Sequence, residues 1–180
     1  AQDDITATDM ASLIYLDVVS ENIDDISGLE HAVNLIELRV SQNQISDLSP
    51  LEYLENLEVL YFYGNDVSDI NSIRNLTNLN FINAGDNQIS DIGALETLTG
   101  LRTLWLNGNK VSNISPLANL TNLDYLRLEE NSISEISALS LLTKVENLWL
   151  HSNQINELTP LRSMSALTEL HLKNNEVTDI

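Results

Sequence analysis

Most of what this chain of 180 residues could use for recognition chemistry falls into three columns, each with a step of 22 residues. One reads Tyr15, Glu37, Val59, Phe81, Thr103, Tyr125, Asn147, Glu169, and a second, two residues on, reads Asp17, Arg39, Tyr61, Asn83, Trp105, Arg127, Trp149, His171. The third, two further on, reads Val19, Ser41, Tyr63, Gly85, Asn107, Glu129, His151, Lys173. Side chains two residues apart share one face of an extended chain, so the three columns form one surface. Seven of the nine aromatic residues stand in it: Tyr15, Tyr61, Tyr63, Phe81, Trp105, Tyr125 and Trp149. Rings on a stiff sheet bury large areas at low entropic cost, and Trp, Tyr and Arg dominate the energetics of protein interfaces. Neighbouring strands lie about 4.8 Å apart, which puts Trp105 and Trp149 roughly 10 Å apart with Arg127 between them. A plainer reading is that aromatics favour strands and cover one another on an open sheet. Their clustering between Tyr61 and His151 favours binding.

Other chemistry is weakly represented. His151 and His171 lie near Glu129 and Glu169 but occupy different columns without a third ligand, so no metal or acid–base site is expected. The acidic series Asp25, Asp47, Asp69, Asp91, Glu135, Glu157, Asp179 suggests a calcium row. Asn113 interrupts it, and no coil supplies paired ligands, so a solvated outer face is the expectation. No phosphate-binding glycine loop, H-E-x-x-H or G-x-S-x-G occurs, and no cofactor is implied. An enzyme is not expected. With 27 acidic against 8 basic residues the net charge is −19, which repels phosphate backbones and anionic lipid. No apolar run reaches the length of a membrane span. Cysteine is absent, which removes disulfides and thiolate sites.

The elements that position these columns follow from the repeat itself. Apolar residues recur at Leu35, Leu57, Leu79, Leu101, Leu123, Val145, Leu167 and again at Leu38, Leu60, Ile82, Leu104, Leu126, Leu148, Leu170. An asparagine keeps the same step at Asn43, Asn65, Asn87, Asn109, Asn131, Asn153 and Asn175. The unit reads L-x-x-L-x-L-x-x-N-x-I-x-D-I-x-P-L-x-x-L-x-N. Its L-x-L step of two predicts a short strand with one buried face, and the later steps of three predict a tight 3₁₀-like return. No coil can bury its apolar side chains alone, so only stacking closes the core. The ladder asparagine, where the strand ends, is expected to satisfy backbone groups that the turn leaves unpaired. Asn34, Asn56, Asn78, Gly100 and Asn122 close the units and are expected in the left-handed conformation that stops a helical turn. Phe62 faces Ala84 one coil on, a volume compensation across the core.

These units, seen in Asn43-Gln44-Ile45-Ser46-Asp47-Leu48-Ser49-Pro50-Leu51 and again in Ile114-Ser115-Pro116-Leu117-Ala118-Asn119-Leu120-Thr121-Asn122-Leu123, resemble leucine-rich repeats of the 22-residue, bacterial internalin-like type. The resemblance covers nearly the whole chain. It implies an α/β, right-handed solenoid with a concave parallel β-sheet and short 3₁₀ or helical turns on the convex side. It also implies bacterial origin, export to the cell surface or exterior, and a ligand in the concavity. We expect residues 1–12 to be the remnant of an N-terminal cap and 13–180 a solenoid of about eight coils, the last incomplete, within a longer protein whose signal peptide is already removed.

The combined expectation is a non-enzymatic module that holds a protein partner, such as a host or cell-surface protein, through Arg39, Tyr61, Tyr63, Phe81, Trp105, Tyr125, Arg127, Trp149, His151 and His171. The rings would anchor it. Arg39, Arg127 and Lys173 would select carboxylates of the partner, while Glu37, Glu129 and Glu169 would reject the wrong charge. A glycan stacked on the rings, and a self-assembling spacer, are the alternatives.

Overall fold

The computed structural model describes residues 6–178 and contains one eight-stranded parallel sheet whose strands follow one another in chain order. The strands are β1 (Tyr15–Asp17), β2 (Glu37–Arg39), β3 (Val59–Tyr61), β4 (Phe81–Asn83), β5 (Thr103–Trp105), β6 (Tyr125–Arg127), β7 (Asn147–Trp149) and β8 (Glu169–His171). Each residue pairs with the one 22 positions on, so Trp105 stands beside Arg127 and Arg127 beside Trp149. Seven short 3₁₀ turns, from Leu29–His31 to Thr159–Ser163, return the chain to the next strand. This is the expected leucine-rich-repeat solenoid. A helix, α1 (Ala7–Ala11), precedes β1 and is started by Thr6 and Asp9, whose side chains each bond the other's backbone N–H. The rest of the stretch expected as a cap remnant, residues 1–5, lies outside the described residues, as does Asp179.

Between sheet and turns runs one unbroken apolar core from Ile26 to Met164. The middle residue of each inner strand, Leu38 through Leu148, is buried, and so are Phe62 and Ala84 in adjoining coils. Each fully buried Leu or Ile contributes about 1.5–3 kcal/mol. Leu170, of the same series, is 39% exposed on β8.

The asparagine ladder holds the coils in register. Asn87 Oδ1 accepts from Val67 N–H at 3.0 Å, and its Nδ2 donates to the carbonyl of Phe62 in the preceding coil (3.0 Å) and of Ala84 in its own (3.2 Å). Asn43, Asn65, Asn109, Asn131, Asn153 and Asn175 repeat this arrangement. Three residues beyond each strand the chain turns through a left-handed residue: Ser20, Gln42, Gly64, Asp86, Gly108, Glu130, Ser152 and Asn174 have φ between 48° and 66°.

Two expectations change. The unit-closing residues Asn34, Asn56, Asn78, Gly100 and Asn122 are not left-handed. Instead the asparagines among them donate across the coil boundary, Asn34 to Ala11 O, Asn56 to Val33 O, Asn78 to Glu55 O and Asn122 to Thr99 O, at 2.8–3.0 Å. The acidic row has a local role as well. Asp25, Asp47, Asp69, Asp91 and Glu157 each accept from the backbone N–H two residues on, where the 3₁₀ return begins. Asn113 does the same through Oδ1 to Ser115 N–H. The position needs an acceptor rather than a charge, which explains why an asparagine can stand in it.

Three outcomes follow for stability. Asn87→Ala leaves the Val67 N–H without its acceptor and takes one of two asparagine donors from the carbonyls of Phe62 and Ala84, and urea unfolding should show a loss of about 2 kcal/mol. Asp47→Asn should keep most of the melting temperature at pH 7, whereas Asp47→Ala should lower it. The bonds from Ser49 hold the Asp47 carboxyl below the usual carboxylate range. Its contribution is therefore full above that range and disappears as pH falls through the lowered pKa, so Asp47→Asn should flatten the acid limb of a thermal-stability profile.

Candidate functional site

Alternation along each strand sends the middle residue into the core and its neighbours onto the concave face, and all ten sequence-predicted site residues stand there. Arg39, Tyr61, Phe81, Trp105, Tyr125, Arg127, Trp149 and His171 lie within strands, while Tyr63 and His151 lie just beyond β3 and β7. They are half-buried, because neighbouring strands bring them against one another.

The contacts make a continuous stack from β1 to β8. The Arg39 guanidinium lies 5.9 Å from the Tyr15 ring and 4.8 Å from Tyr61. Tyr61 meets Phe81 at 4.5 Å, and Phe81 meets the edge of Trp105 at 5.6 Å. The Arg127 guanidinium sits between Trp105, at 5.4 Å, and Trp149, at 4.5 Å. His171 then covers Trp149 at 4.3 Å. Tyr125 joins Trp105 at 6.0 Å, and His151 joins Trp149 at 6.1 Å. Asn83 interrupts the central column, and the stack detours around it through Phe81. Cation–π and ring–ring contacts of this kind are each worth about 0.5–1.5 kcal/mol. The surface is therefore held rigid before anything binds.

Both arginines, expected to select a partner's carboxylates, already face a carboxylate on their own strand. Arg39 Nε donates to Glu37 Oε1 at 2.6 Å, and Arg127 Nε donates to Glu129 Oε1 at 2.7 Å, with its Nη2 on the same oxygen. Glu129 is 2% exposed, so its charge faces Arg127 rather than an incoming ligand. Glu-x-Arg and Arg-x-Glu put both members on one strand face, a spacing that could have revealed these pairs in the sequence. Glu129 Oε2 and the indole Nε1 atoms of Trp105 and Trp149 are buried without a protein partner. What each tryptophan shows to solvent is consequently hydrocarbon.

The histidines form no ligand set. Their rings are 6.5 Å apart, and His171 Nε2 lies 2.7 Å from Glu169 Oε1. Among the described residues no three His, Asp or Glu side chains converge as a metal site, and no helix is long and apolar enough to cross a membrane. A feature not anticipated lies at the face's edge. Gly108 makes room for Asp86, whose Oδ1 a Cβ there would strike, and Gly85 makes room for Asn107. Asp86 thereby stands beside Asn107, 3.5 Å from its Nδ2. By hydrogen bonding and charge it holds the Tyr63 phenol above its usual range.

Removing one member of a buried ion pair leaves the other uncompensated, so Arg127→Ala should destabilise the fold by about 3 kcal/mol or more in urea unfolding. Arg127→Ala/Glu129→Ala should recover much of that loss, which separates the stranded Glu129 charge from the loss of stacking.

Comparison with protein families matches "Leucine Rich repeats (2 copies)" over residues 33–75, 55–97, 74–119 and 99–141. Comparison with curated proteins finds no match. Among solved structures, an internalin C2 from Listeria monocytogenes is similar over 98% of this chain and 78% of its own, with 34% identity and a TM-score of 0.94. A second Listeria monocytogenes internalin, InlF, is similar over 99% of this chain and 66% of its own, with 28% identity and a TM-score of 0.74. The chain thus spans only part of either relative. The ectodomain of a receptor kinase from Arabidopsis thaliana, in complex with Casparian strip integrity factor 2, is similar over 82% of this chain and 19% of its own, with 26% identity and a TM-score of 0.73. Repeat, register and likeness agree: the chain belongs to the leucine-rich-repeat family and is a bacterial protein of the internalin-like type.

Proposed function

We propose that this chain is a non-enzymatic binding module of an exported bacterial surface protein, and that it holds a protein partner against its concave sheet. Leucine-rich-repeat proteins generally bind other proteins, and the plant receptor above is one solved with its factor bound. The observation that carries the reading is the stack from Tyr15 to His171, rigid and half exposed on a face that the core does not need. Tyr61, Tyr63, Phe81, Trp105, Tyr125 and Trp149 supply apolar area with few rotatable bonds, as interface anchors do.

The same geometry weighs against a glycan. Sugar rings stack on open aromatic faces, but Trp149 is flanked by Arg127 and His171, and Trp105 by Arg127 and Phe81. With both indole N–H groups buried, the tryptophans offer a sugar no donor. Ring edges and hydrocarbon rims remain, which suit apolar side chains of a protein.

Candidate partner proteins should bind Trp105→Ala and Trp149→Ala about 30-fold more weakly than the parent chain, the loss expected of an interface anchor. Biolayer interferometry measures this directly, and unchanged affinity in both variants would sink the concave-face mechanism. A polysaccharide that quenches tryptophan fluorescence at micromolar concentration would overturn the choice of a protein over a glycan.

A further inference from the structure

Charge on and around the concave face is unevenly compensated. The two stack arginines are neutralised by Glu37 and Glu129 of their own strands. On the edge where the chain leaves the strands, Asp66, Asp86 and Glu130 are exposed. Among the described residues none of the three lies within ion-pair distance of a cation. Lys110, on the same edge, is bonded to Gln88. Asp86 and Glu130 are the left-handed residues directly following the third column, at the edge of the concave face, where Asp86 is hydrogen-bonded to the Tyr63 phenol and the Glu130 N–H donates to the carbonyl of His151. Gly108 leaves Asp86 the space it occupies beside Tyr63 and Asn107. Beyond this edge the whole chain carries −19.

We infer that the partner of the concave face is a basic protein surface, whose apolar centre meets the ring edges and whose Lys or Arg side chains reach Asp86 and Glu130. The inference rests on the proposed protein-binding reading and adds the partner's charge to it. An ammonium or guanidinium placed there would have carboxylates and aromatic rims together, the combination in which Arg39 and Arg127 are already held within this chain. An acidic partner would meet the unpaired carboxylates of Asp86 and Glu130 while both stack arginines already face a carboxylate of their own, which leaves Lys173, two coils beyond Glu130, as the cation of the three columns without an ion-pair partner among the described residues. The long-range field acts in the same direction, drawing cationic surfaces towards the solenoid at low ionic strength.

The test uses a displayed library of random dodecapeptides selected on the intact chain. Selected peptides should be enriched in Lys and Arg around apolar or aromatic residues, relative to the unselected library. Their affinity should fall about tenfold for Asp86→Asn/Glu130→Gln and stay unchanged for Asp47→Asn/Asp91→Asn. The second pair removes the same charge at the start of the convex returns and keeps the acceptor each turn needs. Raising salt from 0.05 to 0.5 M should weaken the same peptides at least tenfold. Enrichment of acidic or charge-neutral peptides, or equal losses in the two double variants, would overturn the inference while leaving the concave site standing. Peptides that bind Trp105→Ala and Trp149→Ala as well as the parent would instead overturn the concave reading itself. Thermal unfolding by circular dichroism confirms that each variant compared is folded, and a library yielding no peptide overturns both.

Discussion

The carboxamide of one asparagine per coil is the interaction on which the rest of this molecule depends. A parallel strand of three residues cannot hold its own register, and the sharp exit through a left-handed residue turns backbone groups inward with no ladder partner. Asn43 and its six equivalents supply one acceptor and two donors to those groups, reaching both their own coil and the one before. Only a side chain with both hydrogen-bonding characters at that length can do this, because a carboxylate lacks the donors and an aliphatic residue lacks both. The unpaired alternative would leave buried polar groups in every coil.

Everything on the concave face inherits that register. Because partners are 22 residues apart at strand spacing, side chains in one column are close enough to touch. A ring in a column meets whatever occupies the next coil, which is how Arg127 is placed between Trp105 and Trp149 and how His171 comes to cover Trp149. The stack makes the surface stiff and consumes ring faces and guanidinium charge. The two alternatives weighed for the rings, mutual cover and recognition, are therefore both present in the geometry. Faces cover each other, and edges remain for a ligand. The buried Glu129 fits the same logic, since at its site the low-dielectric surroundings demand a cation and Arg127 is the one within reach.

Scaffold and surface also divide the charge. Asp25, Asp47, Asp69, Asp91 and Glu157 are built into the turns, where a hydrogen-bond acceptor is wanted and the negative charge is incidental. Asn113 in that row shows the distinction directly. Five of the 27 acidic residues thus serve turn chemistry on the convex side, while the charges of the three concave columns nearly cancel.

Sequence and structure therefore share the account unequally. The 22-residue spacing of Leu, Ile and Asn by itself determined the coil, the core, the strand positions and the face that Tyr61, Trp105, Arg127 and Trp149 would occupy, because stacking a repeat admits one periodic solution. Even there, local pattern misled at the unit-closing Asn34, Asn56 and Asn78, whose bonds run to carbonyls 23 residues earlier and so have no local signature. The tertiary structure alone decided which side chains face one another across coils, that Arg127 lies between two tryptophans, and that Glu129 and both indole N–H groups are buried. Those outcomes depend on distances between strands and on rotamers chosen to escape water, and composition along one strand does not contain them.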